Sequence, residues 1–190
     1  MDRKSVVDRL QSLGYLKYVD PQGIPAVRAQ MEDSIDRGFL DTEWDDDSVS
    51  ADRRSYPADA EELAEGNFGE VLNLMTAVLH REGVRLDSVE DDFTEDHYSV
   101  IVNAAPHVIW SRAEVSNRNL WAIATRRCLE LVNGLLQKAN SAERLWGVYG
   151  GNDGRFLFLT PEMHGVLSQP ALKLDRKGMP YPPTDPRLTS

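Results

Sequence analysis

Apolar residues recur at helical spacing from the start of the chain: Val6, Val7, Leu10 and Leu13 share a face, and Gly14 follows as a stop. A second helix is predicted after Asp20-Pro21, with Ile24, Val27, Met31 and Ile35 on one side and Gly38 at its end. Residues 1–40 therefore read as an N-terminal helical pair, packed by Tyr15, Leu16, Tyr18, Phe39 and Leu40. Periodicity fails over residues 41–56, where Trp44-Asp45-Asp46-Asp47 and Ser48-Val49-Ser50 suggest an exposed acidic loop. Pro57 suits a first helical turn, and Asp59, Glu61 and Glu62 favour the positive dipole end, so a helix is expected to open there and break at Gly66. A longer helix is expected over residues 67–82, burying Phe68, Val71, Leu72, Met75, Val78 and Leu79, with Gly83 past its end.

Residues 86–92 read as a second acidic connection. Residues 98–102 alternate and are β-branched, residues 108–110 make another short strand, and Asn103-Ala104-Ala105-Pro106 turns between them, which is a hairpin pattern. Ser116 is placed to cap the longest helix, over residues 117–138, with Leu120, Trp121, Ala124, Cys128, Leu131, Val132, Leu135 and Leu136 as its core stripe. Ser141 and Glu143 begin a short turn. Strands at 145–149 and 155–159 flank Gly150-Gly151-Asn152-Asp153-Gly154, whose residues accept the positive φ of a tight hairpin. Thr160 caps a short helix that carries Pro161 at its first position. Residues 169–190 hold five of the ten prolines and are expected to be an extended tail tied to the rest. The expected class is α+β: one globular unit with a small, mainly antiparallel sheet of two hairpins packed with several helices. Its core spans residues 41–168.

Charge changes this picture most. Residues 41–96 hold 18 of the 31 acidic side chains and only Arg53, Arg54, Arg81 and Arg85 as cations, a formal −14, while the other residues hold 13 acids and 17 bases, a formal +4. Such a field repels nucleic acid and anionic membrane and speeds encounter with a cationic partner. With 41% hydrophobic residues the chain can bury a proper core. Cys128 stands alone, so neither an internal disulfide nor a thiolate-clustered zinc site is available. The start Met1-Asp2-Arg3-Lys4 lacks the apolar run of a signal peptide, and no stretch approaches the apolar length of a membrane span, so the expectation is a cytoplasmic protein.

Candidate chemistry is sparse. Gly147, Gly150, Gly151 and Gly154 lie between two strands with Asp153 among them and no lysine, which fits a hairpin turn rather than a phosphate loop. His80, His97, His107 and His164 show no metal-ligand spacing. Cys128 sits mid-helix on an apolar stripe, where a thiol acts as a small hydrophobe and not as a nucleophile. The pairs Glu61-Glu62, Asp91-Asp92 and Glu95-Asp96 read as solvated surface in so acidic a chain. Arg126, Arg127 and Lys138 are too few to hold nucleic acid against the net field. Trp44 beside three aspartates reads either as an interface anchor ringed by steering charges or as a ring folded onto the N-terminal helices.

Five segments carry a resemblance. They are Tyr56-Pro57-Ala58-Asp59-Ala60-Glu61-Glu62-Leu63-Ala64-Glu65-Gly66, Asp96-His97-Tyr98-Ser99-Val100-Ile101-Val102-Asn103, Ala139-Asn140-Ser141-Ala142-Glu143-Arg144-Leu145, Gly150-Gly151-Asn152-Asp153-Gly154 and Phe158-Leu159-Thr160-Pro161-Glu162. Together they resemble small, poorly characterised bacterial cytosolic proteins that look like immunity proteins of toxin–immunity pairs. The likeness covers residues 56–165. It implies a non-enzymatic protein that binds and neutralises a cognate toxin, with no cofactor and no catalytic residues to carry over. The charge pattern makes a basic toxin the expected partner, met by Trp44, Asp45, Asp46, Asp47, Glu90, Asp91, Asp92, Glu95 and Asp96 presented outward. Two other readings stand beside it: an enzyme with a site near the sheet and long helix using Asp96, His97 and His107, and an adaptor whose proline-rich tail binds a partner.

Overall fold

The two faces of one small sheet carry different apolar sets, and that division organises the molecule. The structure is a computed structural model in which residues 2–45, 49–114 and 120–188 are described. Strands β1 (Ser55–Pro57), β5 (Arg144–Val148) and β6 (Arg155–Leu159) form an antiparallel sheet in the order β1-β6-β5. Alternation along β6 sends Phe156 and Phe158 to one core and Leu157 and Leu159 to another.

On the second side lie α1 (Arg3–Ser12), α2 (Ile24–Asp36) and α7 (Pro161–Leu167), whose Val6, Leu10, Val27, Met31, Met163 and Leu167 close over Leu157, Leu159 and Val148. The first side meets α3 (Ala60–Ala64), α4 (Phe68–Leu74), α5 (Thr76–Arg81) and α6 (Leu120–Lys138). The same core takes the inner face of a second antiparallel sheet, β2 (Val89–Phe93), β3 (His97–Val102) and β4 (Ala105–Ser111), in the order β2-β3-β4. Among the described residues this makes seven α-helices and six strands, an α+β fold with two antiparallel sheets.

Several elements fall where the sequence puts them, including α1, α2, the 97–111 hairpin and α7 with its Thr160 cap. Others are corrected. Pro57 ends a strand instead of opening a helix; α3 begins three residues later, where the Asp59 carboxylate accepts from Glu61 N at 2.9 Å and Glu62 N at 3.3 Å. The expected 67–82 helix is two helices. At Met75 (φ −79°, ψ −8°) the amide bonds back three residues, to Leu72 O at 3.2 Å, and no glycine or proline marks the break. The acidic connection at 86–92 contains β2, an edge strand whose Glu90 and Asp92 carboxylates face water; its acidic residues oppose strand propensity without forbidding pairing with β3. Trp121 is 43% exposed and off the core stripe of α6, while Ile123 and Leu129 are on it. The expected cap Ser116 lies outside the described residues.

Residues 41–45 and 49–56 are not free loop either. Trp44 and Ser50 form a β-bridge, Asp52 is buried and accepts from the Tyr15 hydroxyl at 2.6 Å, and Arg54 is buried completely. The Arg54 guanidinium lies over the rings of Tyr15 (4.7 Å) and Tyr18 (4.6 Å). It donates to Glu143 Oε2 at 3.0 Å and Oε1 at 3.2 Å, and to the carbonyls of Phe158, Gly14 and Tyr15. Lys17 bridges Glu143 (2.9 Å) to Glu82 (2.7 Å), and Glu82 also accepts from Tyr18 (2.7 Å) and Ser141 (2.6 Å). This network joins the N-terminal helices to β1, α5 and β5.

Burial disfavours the charge on Glu82, but its hydrogen bonds from Lys17, Ser141 and Tyr18 together outweigh that and hold its pKa below the ordinary value of 4.5. A carboxylate depressed on folding contributes stability that is complete above its unfolded-state pKa and drains away as pH falls through the folded one. Glu82→Gln is therefore expected to be less stable than the parent at pH 7, with the difference closing below about pH 4.5. Denaturant melts of both proteins from pH 3 to 7, about the range over which carboxylates titrate, check this; a pH-independent difference would contradict it.

The tail is tied down through its backbone. Gly147 and Tyr181 exchange two hydrogen bonds (2.9 and 2.8 Å), and Tyr149 N donates to Lys177 O at 3.0 Å, so the tail covers the otherwise open edge of β5. Tyr181, Leu172 and Leu188 are buried. A Cβ at Gly147 would overlap the Tyr181 ring. Gly147→Ala is expected to cost about 1–3 kcal/mol by overpacking and to open the tail to protease; a tail still protected in that variant would refute this.

Candidate protein-docking face

The inner face of the second sheet is filled by Tyr98, Val100, Val102 and Trp110, so strand alternation turns the intervening residues outward. Register then sets three rows across the outer face. Glu90 stands opposite Ile101, and Ile101 opposite Pro106; Asp92 stands opposite Ser99, and Ser99 opposite Val108; His97 faces Ser111. A β-bulge between Tyr98 and Ser99 keeps Trp110 inward and Val108 outward. The result is a graded surface, with carboxylates on the β2 edge and apolar groups on β3 and β4. Val108 is 49% exposed.

Beyond Val108 the surface continues into a groove of about 350 Å³ between β4 and α6, lined by Pro106, His107, Arg127, Glu130 and Leu131. The β3–β4 turn that fixes the hairpin has Asn103 and Ala104 at φ 51° and 64°. The Asn103 side chain holds it by accepting from Asp87 N (2.7 Å) and Ser88 N (3.2 Å) and donating to Arg85 O (2.8 Å).

The carboxylates singled out from sequence are separated by this geometry. Glu90 and Asp92 are exposed on the outer face, with Asp92 3.2 Å from His97 Nε2. Glu95 and Asp96 lie on the turn at one end of it, and Asp96 pairs with Arg112 at 3.2 Å. Asp91 points the other way. Its Oδ1 accepts from the Tyr98 hydroxyl and from Gly69 N at 3.0 Å, and a Cβ at Gly69 would overlap it, so it is spent on seating α4 against β2. Trp44 and Asp45 belong to another part of the surface: Arg155 lies 4.8 Å over the indole and pairs with Asp41 at 2.7 Å, while Asp45 pairs with Arg53 at 2.9 Å. Asp46 and Asp47 lie outside the described residues.

The groups invoked for an enzyme do not converge. His97 stands on the outer face and His107, opposite Val100, in an inward row. Burial, then the nearby Lys138 charge, lowers the pKa of His107 and favours its neutral form. Burial pushes the Cys128 thiol well up, which keeps it unreactive. Among the described residues no group of three or more His, Cys, Asp or Glu side chains is placed to hold a metal, and no helix is long and apolar enough to cross a membrane.

Ile101, Pro106 and Val108 were not singled out from sequence. The signal was present, since an alternation that buries Tyr98, Val100 and Val102 leaves Ile101 on the far side. What was missing was the strand character of residues 89–93, which brings Glu90 and Asp92 beside it. No protein-family model, curated protein or solved structure matches the chain.

Proposed function

We propose that this protein is a non-enzymatic, immunity-type binder that acts in the cytoplasm and neutralises a basic bacterial toxin through the outer face of its second sheet. The observation that carries the reading is the alignment, row by row, of an exposed β2 carboxylate with apolar residues of the outer face: Glu90 with the half-buried Ile101 and the exposed Pro106, and Asp92, which also meets His97, with the exposed Val108. Carboxylates on an edge strand also prevent strands of two copies from pairing, but that need alone leaves no reason for the half-exposed Val108 beside them. A cationic segment carrying an apolar side chain satisfies both halves, since aliphatic contact supplies hold and charge supplies speed and register. The resemblance of residues 56–165 to immunity proteins points the same way.

Asp41, Asp45, Asp52, Glu82 and Asp91 are engaged by the chain's own groups, while Glu90 and Asp92 on the β2 edge are exposed beside the apolar residues of β3 and β4. Co-expression with the product of the adjacent reading frame tests the function. Restored growth of cells that the neighbour alone kills is expected. Equal killing with and without this protein would remove the inhibitor reading.

A further inference from the structure

The sheet edges of this fold are closed by unlike means. β2 carries Glu90 and Asp92 outward, and β4 carries Pro106, which has no N–H to offer a further strand. On β1, Ser50 takes up the outer groups of Ser55: Ser55 N donates to Ser50 Oγ at 2.8 Å, and Ser50 N to Ser55 O at 3.5 Å. β5, Arg144-Leu145-Trp146-Gly147-Val148, has neither an acidic residue nor a proline, and beyond Arg144 its side chains are apolar or absent. A strand of that kind, left bare, adheres to others.

Its protection comes from elsewhere in the chain, position by position. The Asn133 side chain of α6 copies a strand at Leu145: Oδ1 accepts from Leu145 N at 2.7 Å, and Nδ2 donates to Leu145 O at 2.9 Å. The tail takes the next two positions along the same edge, through the Gly147–Tyr181 pair and the bond from Tyr149 N to Lys177 O. Side chains anchor the tail there. The Tyr181 ring sits against Gly147, where a Cβ would overlap it. His164 of α7 lies flat on the Trp146 indole, with centroids 4.0 Å apart and 7° between the planes, and its Nε2 donates to Pro180 O at 3.1 Å. Pro180 and Pro182 on either side of Tyr181 cannot donate, so the ladder around it cannot lengthen.

We propose that the tail is an intramolecular guard over an adhesive edge, and that lifting it lets β5 pair antiparallel with β5 of a second copy. The occupant follows from symmetry. With Gly147 opposite Gly147 of the second copy, Leu145 meets Tyr149 in both directions, so the positions now capped by Asn133 and the tail are the ones that face each other. This register sets apolar side chains against apolar ones and leaves the two Arg144 side chains at opposite ends, so no like charges meet. The β1-β6-β5 sheets of two copies thereby join into one continuous sheet. The inference is independent of the docking face, which lies on the other sheet.

The test uses the full chain, with Gly147→Ala to unseat Tyr181 and His164→Ala to remove the outer anchor. His164 is half-buried on α7, so this second variant carries the test if the first fails to fold. Light scattering after gel filtration, over a concentration series, is expected to show the parent as a monomer and each variant doubling in mass as concentration rises. In the doubled species, exchange read by NMR should speed at the Tyr181 amide and stay slow at the amide of position 147, because the second copy has replaced the tail there. Adding Asn133→Ala to His164→Ala should tighten the dimer about tenfold, the scale of one or two hydrogen bonds freed from competition. A variant whose Tyr181 amide is exposed while its mass stays single would overturn the adhesive edge. A parent that dimerises with its Tyr181 amide still protected would overturn the guard, and a Tyr181 amide unchanged in both variants would overturn the anchors.

Discussion

Arg54→Ala is expected to destabilise the protein by about 3–5 kcal/mol, the cost of breaking a buried ion pair, because Glu143 then keeps only the half-exposed Lys17 as a cation. Both Arg54 and Glu143 have 0% side-chain exposure, so neither can recover hydration when the other is removed. The substitution also strips donors from three backbone carbonyls and the guanidinium from between two tyrosine rings. Against a total stability of about 5–15 kcal/mol for a protein of ordinary stability, this is a large share. Urea unfolding midpoints of the parent and Arg54→Ala measure it. Replacing the pair together, as Arg54→Met with Glu143→Leu, is expected to recover much of the loss, because apolar side chains need no partner. A loss below about 1 kcal/mol in the single variant, typical of surface pairs, would contradict the network's role.

Reversing charge on the β2 edge is expected to have the largest effect on partner binding. Glu90→Lys with Asp92→Lys places cations where the proposed partner is cationic, and steering of this kind changes association rates by about 10–10³. Association should slow by tenfold or more at low salt and lose most of its salt dependence, because exposed charges are screened within about 10 Å at 0.1 M. Asp45→Lys should do far less, since Arg53 already holds that carboxylate. Both β2 residues are exposed, so the melting temperature should barely move. Stopped-flow association at two ionic strengths separates these outcomes; a larger effect at Asp45 would return the contact to the Trp44 segment.

Much of the scaffold was legible from periodicity alone. Val6, Val7 and Leu10 on α1 and Tyr98, Val100 and Val102 on β3 are buried where their spacing places them. The α+β class follows from those elements. Elements governed by partners distant in sequence were not legible. Val89–Phe93 is four parts carboxylate or exposed ring to one part valine, and it becomes a strand because β3 offers its edge. Residues 49–56 look unstructured in sequence because their order comes from Arg54 reaching Glu143, 89 residues away, and from Tyr15 reaching Asp52. The acidic field was visible as composition, but which carboxylates face water depended on pairings such as Asp41 with Arg155 and Asp91 with Gly69 N. For the same reason Trp44 looked like an anchor in sequence while its indole lies beneath Arg155.

Amide hydrogen exchange on the protein alone and with the proposed basic partner tests the docking face most directly. The account predicts that binding slows exchange across residues 89–93 and 97–111 while residues 41–56 stay as they were. Protection confined to residues 41–56, with the β2-β3-β4 sheet exchanging as before, would contradict it.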